Sequence, residues 1–255
     1  MVKVSGEKSL DYMKEEKTDS RYVYDSHSGS CYKPNRHLSI DEIVVDFERQ
    51  VRILNDLFNC GLQFDIDWLV RAHAVCPAWV EKFFADVPWQ RIAPTYKKAI
   101  EIMLDMIKKN SKYQFKNRFD HQSSLSFQRK IRTVRAQKRL FERQKVHDVI
   151  IIPAQFGLRH RGRSARRACV CFSSREFGLN TSTVINMFLT HQERSRDDDW
   201  SLGTYCLGDE CNYRGSDIIP CFWFRYNDVL MFDGKVSNCY EEYDGSASGF
   251  VPHLK

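Results

Sequence analysis

No apolar run in this chain approaches the roughly 20 residues needed to span a bilayer. The opening Met1-Val2-Lys3-Val4-Ser5-Gly6-Glu7-Lys8 also lacks the apolar core of a secretory signal. A membrane-embedded or exported protein is therefore not expected, and the expected location is the cytoplasm. A closely spaced, even set of cysteines is missing too. The nine present are scattered through 255 residues, a length that buries a core without covalent staples, so free thiols are expected rather than a disulfide framework.

Acids are nearly absent from one stretch. From Lys108 to Lys145 thirteen Lys or Arg stand against Asp120 and Glu142, a local charge of +11 in a chain whose total is +6. A second cluster, Arg159, Arg161, Arg163, Arg166, Arg167 and Arg175, has no acid between its members, while Asp197, Asp198, Asp199, Asp209, Glu210 and Asp217 gather farther along. Charge segregated in this way makes a field that attracts a polyanion such as nucleic acid and releases its counterions on binding. The run Asp197-Asp198-Asp199 reads as a solvated loop, because adjacent carboxylates point in different directions.

Periodicity gives an α+β chain. Residues 1–37 are polar, with no period that would bury a face, and read as an arm. Ser39 and Glu42 form a capping box, and Ile40, Val44, Phe47, Val51, Leu54 and Phe58 follow at helical spacing, predicting a helix over about 40–59. Further helices are expected over Asp65–Cys76, Ala78–Ala85, Tyr96–Lys109, Ser124–Gln144 and Thr181–Thr190. The helix over Ser124–Gln144 would pack Phe127, Ile131, Val134 and Leu140 and turn its cations toward a phosphate backbone. Val149–Pro153 is short and β-branched and predicts a buried strand. Residues 218–244 predict strands, broken at Asn227-Asp228 and at Asp233-Gly234, the latter a hairpin turn signal.

The most telling stretch is Tyr243-Asp244-Gly245-Ser246-Ala247-Ser248-Gly249. A carboxylate beside glycine leaves room for a backbone carbonyl and a triphosphate to approach one divalent cation. A single carboxylate does not make a two-metal site, so the rest of such a centre is expected on another polypeptide.

The order of parts, a basic helix, an apolar strand, Arg161-Gly162-Arg163, a short helix, an aromatic-rich segment with Pro220-Cys221-Phe222-Trp223-Phe224, Asn238-Cys239 and then Asp244 to Gly249, resembles the single-subunit DNA-directed RNA polymerases of phages and mitochondria. The resemblance covers Ser124 to the C-terminus. More specifically, the chain resembles the smaller subunit of the two-subunit RNA polymerases of some lytic phages.

The expected organisation is a flexible arm over 1–37 and a helical N-terminal region over 38–110, to which the resemblance adds a basic thumb-like segment over 111–147 and a partial palm of antiparallel strands over 148–255. It implies that Asp244 is a catalytic, metal-binding aspartate, that the Gly245 carbonyl is a further Mg2+ ligand, and that Arg161, Gly162, Arg163 and Arg166 meet template or hybrid. It also implies a larger partner subunit with the fingers and second aspartate, nucleoside triphosphates, DNA template and RNA product. Weak activity on duplex promoters is expected without an additional promoter-recognition or single-stranded-DNA-binding factor. Arg159 stands where the family carries an aspartate.

A rival reading is a non-enzymatic basic nucleic-acid-binding protein, zinc-stabilised through Cys169, Cys171, Cys206 and Cys211, although their spacings match no standard zinc signature. A protein that sequesters another protein through its basic face has no motif in its favour. His160, His191 and His253 read as structural or solvent-facing rather than as ligands.

Overall fold

A computed structural model of the chain describes residues 38–120, 125–146, 148–192, 202–213, 216–225, 229–239, 241 and 244–254. The expected arm, the Asp197–Asp199 run and the Asn227-Asp228 break lie outside these residues. Among the described residues no helix is long and apolar enough to cross a membrane, and the described cysteines are free thiols.

The fold is α+β. Its helices are α1 (Ile40–Phe58), α2 (Ile66–Val75), α3 (Tyr96–Asn110), α4 (Ile131–Arg143), α5 (Ala165–Cys171) and α6 (Thr181–Thr190). Its strands are β1 (Lys82–Asp86), β2 (Gln114–Asn117), β3 (Ser126–Arg129), β4 (Ile150–Gln155), β5 (Glu176–Gly178), β6 (Gly203–Tyr205), β7 (Asp209–Tyr213), β8 (Ser216–Arg225), β9 (Val229–Val236), β10 (Asp244–Ser246) and β11 (Ser248–Phe250). A first sheet runs β1-β4-β11-β5 and is antiparallel throughout. A second centres on β8, which pairs with β6, β7 and β9. It is mostly antiparallel, with parallel pairs at β10–β6 and β2–β9, so the strands are more mixed than the sequence suggested.

Local chemistry starts most helices where expected. The capping box at Ser39 forms, with Ser39 Oγ accepting from Glu42 N–H and the Glu42 carboxylate accepting from Ser39 N–H, an arrangement worth about 1 kcal/mol. Asp65 caps α2, Thr95 caps α3 and Asn180 caps α6. All ten residues of α6 are buried, as befits a helix enclosed on every side. From it a row of rings joins the sheets: Phe84 to Phe156, Phe156 to Phe188, Phe188 to Phe222 and Phe222 to Phe232, with centroids 4.8–5.5 Å apart. Such pairs add about 0.5–1.5 kcal/mol each beyond the area they bury.

Two buried glutamines do the work of strand neighbours. Gln50 on α1 donates to Phe83 C=O at 3.0 Å and accepts from Ala85 N–H at 2.9 Å. Gln144 does the same for both backbone groups of Ile151, at 3.0 and 2.8 Å. Backbone groups that no strand pairs are thereby satisfied inside the protein.

Three expectations need correction. Ala78–Ala85 does not form a helix: Phe83, Phe84 and Ala85 lie in β1, paired to β4 and fully enclosed, and tertiary burial overrides their local pattern. Ser124–Gln144 is not one helix. Ser126–Arg129 alternates between exposed and half-buried and pairs with β7. The helix starts at Ile131, and its buried face is Thr133, Ala136 and Leu140, with Ile131 63% exposed. Asp233-Gly234 makes no turn; it pairs with Cys221 and Pro220 inside β9, where the missing side chain leaves room for Ile218 and Phe119.

Candidate functional site

Asp244 to Gly249 forms the seam between the two sheets. Asp244–Ser246 pairs with Gly203–Tyr205 in the second sheet, and Ser248–Phe250 enters the first between β4 and β5. At Ala247 the chain changes sheets, its N–H donating to Tyr205 C=O and its C=O accepting from Leu179 N–H, both at 3.1 Å. Small residues allow this crossing. A methyl group on Gly245 would lie 2.2 Å from Gly157 O, inside van der Waals contact with backbone that has little freedom to move.

The arginine-bearing loop meets this seam directly. After β4 the chain turns through Gly157, at φ +129°, and a short 3-10 segment, Leu158–His160. It then reaches Gly162, at φ +69°, whose N–H donates to Asp244 C=O at 2.8 Å. The structure thus brings together the two motifs that the sequence keeps far apart. Arg161 and Gly162 are buried and Arg163 and Arg166 are half-buried. The Arg163 guanidinium donates to Arg159 C=O at 3.3 Å and lies 3.1 Å from His160 Nδ1, and Arg166 N–H donates to Ser237 C=O.

The Asp244 carboxylate is 4% exposed. Its Oδ2 accepts from Tyr205 O–H at 2.8 Å and from the Lys235 ammonium at 2.5 Å, and Gly203 makes room for Oδ1. Lys235 also pairs with Glu241 at 2.9 Å. Burial works against the charge of Lys235, but Asp244 and Glu241 outweigh it and raise its pKa above the ordinary lysine value. Burial and the neighbouring Asp244 charge push the Tyr205 phenol far up, so it serves as a donor. Asp244 therefore fits a cation, since it already holds an ammonium. Gly245 fits less well, because its carbonyl sits against Gly157.

Beneath the seam lies a buried polar network that the sequence reading missed. Gln155 Nε2 donates to Ser246 C=O and to Ser248 Oγ, both at 2.8 Å. Ser248 Oγ donates to Glu176 Oε1 at 2.7 Å. Glu176 also meets His160 Nε2 at 2.7 Å and Arg159 Nε at 3.1 Å. Burial opposes ionisation of Glu176, but His160, Ser248 and Arg159 prevail and hold its pKa at about 2. Burial lowers the pKa of His160 against the pull of Glu176. With Nδ1 facing the Arg163 donor and Nε2 facing the Glu176 carboxylate, the geometry fits a tautomer with its proton on Nε2. Arg159 is thus the partner of an acid supplied by β5, and it also lies 4.5 Å over the Trp79 ring.

Sequence signals for these groups were weak. Glu176 and Gln155 sit in short strands with no motif, and Lys235 was hidden by the turn-like Asp233-Gly234. Among the histidines, His160 and His191 are fully buried and His253 is exposed. Among the described residues no three His, Cys, Asp or Glu gather as a metal cluster. Cys169, Cys171, Cys206 and Cys211 are accordingly not brought together, and burial raises the thiol pKa of Cys169, Cys206 and Cys211.

Along α4, Arg132, Arg135, Arg139 and Arg143 recur at three- and four-residue spacing and so lie on one face. With Arg175 and His253 they border a groove of about 310 Å3. Arg132 donates to Glu176 C=O and Ser173 C=O, and Arg143 donates to Pro252 C=O, which ties the helix to the first sheet. Comparisons of the chain with protein-family models, with curated proteins and with solved structures find no match.

Proposed function

We propose that this chain is the smaller subunit of a two-subunit DNA-dependent RNA polymerase, acting in the cytoplasm and contributing half of the nucleotidyl-transfer centre. The observation that carries the reading is the 2.8 Å bond from Gly162 N–H to Asp244 C=O. It joins the Arg-Gly-Arg element to the Asp-Gly-Ser-Ala-Ser-Gly segment, as a template-contacting loop beside a metal-binding aspartate requires.

In this reading Asp244 would hold Mg2+ in place of the Lys235 ammonium, and Gly245 would join it only if its contact with Gly157 opened. The chemistry that two magnesium ions supply when bound is a lowered pKa for the RNA 3′-hydroxyl and charge stabilisation of the leaving pyrophosphate. The residues of this chain position that centre. Gly162 fixes the Asp244 backbone, and Ser246 and Ser248 anchor the seam to Gln155 and Glu176. Arg163 and Arg166 lie where a template or hybrid phosphate would pass, and the α4 arginines offer a track for the rest of the strand. The second acid and the fingers lie on a larger partner subunit, and the two sheets form the partial palm onto which it docks. An additional single-stranded-DNA-binding or promoter-recognition factor supplies what the small helical N-terminal region does not.

A second reading, a non-enzymatic basic nucleic-acid-binding protein, is favoured by one observation: the Asp244 carboxylate is neutralised internally by Lys235. Primer extension separates the two. The chain is co-expressed with the candidate larger subunit, and nucleotide addition is compared for wild type and Asp244→Ala. The polymerase reading expects a loss of about a thousandfold or more in an intact complex, the scale of several kcal/mol of transition-state stabilisation. Equal extension by both would leave the binding protein.

A further inference from the structure

At the end of β4 opposite the Asp244 seam lies a half-open cavity of about 610 Å3, within the size range of small-molecule sites. Val134, Phe141, Ile150 and Ile152 supply apolar wall, and Trp89 adds an indole. The Arg129 guanidinium lies 5.2 Å over that ring and equally far over Tyr96. Among the described residues Asp86 is the only acid lining the cavity, against Arg91, Arg129 and Lys138. Arg91 is paired with Asp148 at 2.8 Å. Lys138 meets Glu142 at 3.7 Å with both side chains well exposed, a contact that solvent and salt weaken.

Asp86 is 6% exposed. Its Oδ1 accepts from Asn186 Nδ2 at 2.9 Å. A carboxylate oxygen offers about two acceptor positions, so those of Oδ2 remain for a ligand. Beside it, Asn186 Oδ1 is buried with no hydrogen-bond partner among the described residues, unusual for a buried polar atom. Burial, only partly countered by Asn186 and Thr183, raises the Asp86 pKa to about 6, and a donor pair from a ligand would favour the ionised form.

We propose that this cavity is a guanine-nucleotide site, in which the base lies against the apolar wall and presents its N1–H and N2–H2 donors to Asp86, while the phosphates reach Lys138 and Arg129 at the rim. A guanine edge offers two adjacent donors, which matches the two open acceptor positions. Adenine offers one donor beside an acceptor. A guanidinium from a protein would also offer two donors, but its charge would face Arg129 and Lys138 with no phosphate to offset them. The site is separate from Asp244 and does not rest on the polymerase reading.

Titration calorimetry of the full chain with GTP, ITP and ATP, without divalent ions, tests the proposal. ITP lacks the exocyclic amine and is expected to bind about tenfold more weakly than GTP, the scale of one lost hydrogen bond, with ATP weaker again. Asp86→Asn should erase the difference between GTP and ITP. Lys138→Ala, at an exposed position, should weaken GTP about threefold, as expected for a partly screened phosphate contact, and leave guanosine binding unchanged. Equal affinity for the three triphosphates, or no binding of any, overturns the proposal even if the Asp86 variant fails to fold, because that comparison uses the wild-type chain alone.

Discussion

The Asp244 seam and the α4 groove are both polar, and they are built in opposite ways. The seam is enclosed. Asp244, Ser246, Ser248, Gln155, Glu176 and His160 are all buried; Ser248, Gln155, Glu176 and His160 bond one another and the Ser246 backbone, and Asp244 bonds Tyr205 and Lys235. The groove is open, with Arg135 and Arg139 exposed on a helix that Arg132 and Arg143 anchor. Glu176 belongs to both, bonding Ser248 on one side and bordering the groove on the other. In the seam, removing one partner strands another in a low-dielectric interior, so each group matters to the fold. In the groove a cation contributes mainly to a long-range field that salt weakens. A fixed centre and a forgiving track are what the proposed polymerase subunit would need from its two surfaces.

Substitutions in the two regions should therefore separate cleanly. The largest effect is expected at Glu176. Its side chain is fully enclosed with Arg159 and His160 against it, and Glu176→Ala should cost about 4 kcal/mol in urea unfolding, as when one partner of a buried ion pair is removed. The difference should also depend on pH. Because the Glu176 pKa falls from the ordinary 4.5 to about 2 on folding, its contribution is present above 4.5 and disappears as pH falls toward 2. Stability curves of wild type and variant should converge over that window. Asp86 and Asp209, both raised to about 6 by burial, act in the other direction in both proteins, stabilising the fold below their ordinary values and losing that contribution as pH rises through 6.

Gly245→Ala comes next. The clash with Gly157 O should cost on the order of 3 kcal/mol, measured by thermal unfolding, and separate the Arg-Gly-Arg loop from Asp244. Lys235→Met should cost about 2 kcal/mol in the isolated chain, because Asp244 is left without its counter-ion. In an assembled complex with Mg2+ the cost should shrink, since a metal would replace the ammonium; an equal cost in both states would favour the binding-protein reading. The smallest effect on stability, and the clearest on binding, is expected from Arg139→Ala. Unfolding should be unchanged within about 0.5 kcal/mol, while the salt dependence of single-stranded nucleic-acid binding should lose about one unit of slope.

The contrast also explains what was legible in the sequence. The groove could be read from charge alone, because thirteen cations in one segment make a field however the segment folds. The details of that segment could not, since Ser126–Arg129 becomes a strand only by pairing with β7. Helices with strong caps, at Ser39, Asp65, Thr95 and Asn180, start where their side chains dictate. Short strands are set by distant neighbours, and so Lys82–Ala85 was misread as helix and Asp233-Gly234 as a turn. Asp244 and Arg161-Gly162-Arg163 stood out as motifs, but Lys235, Tyr205, Gln155 and Glu176 carry no local signature. They become visible only once both sheets are placed.

The account rests on Asp244 being the cation-holding residue of a centre that includes the Arg-Gly-Arg loop. Fe2+ substituted for Mg2+ in the assembled complex, followed by mapping of oxidative backbone cleavage, tests this directly. The account predicts cuts clustered near Asp244 and Gly162 that vanish with Asp244→Asn. Cleavage elsewhere in the chain, or an unchanged pattern in the variant, would contradict it.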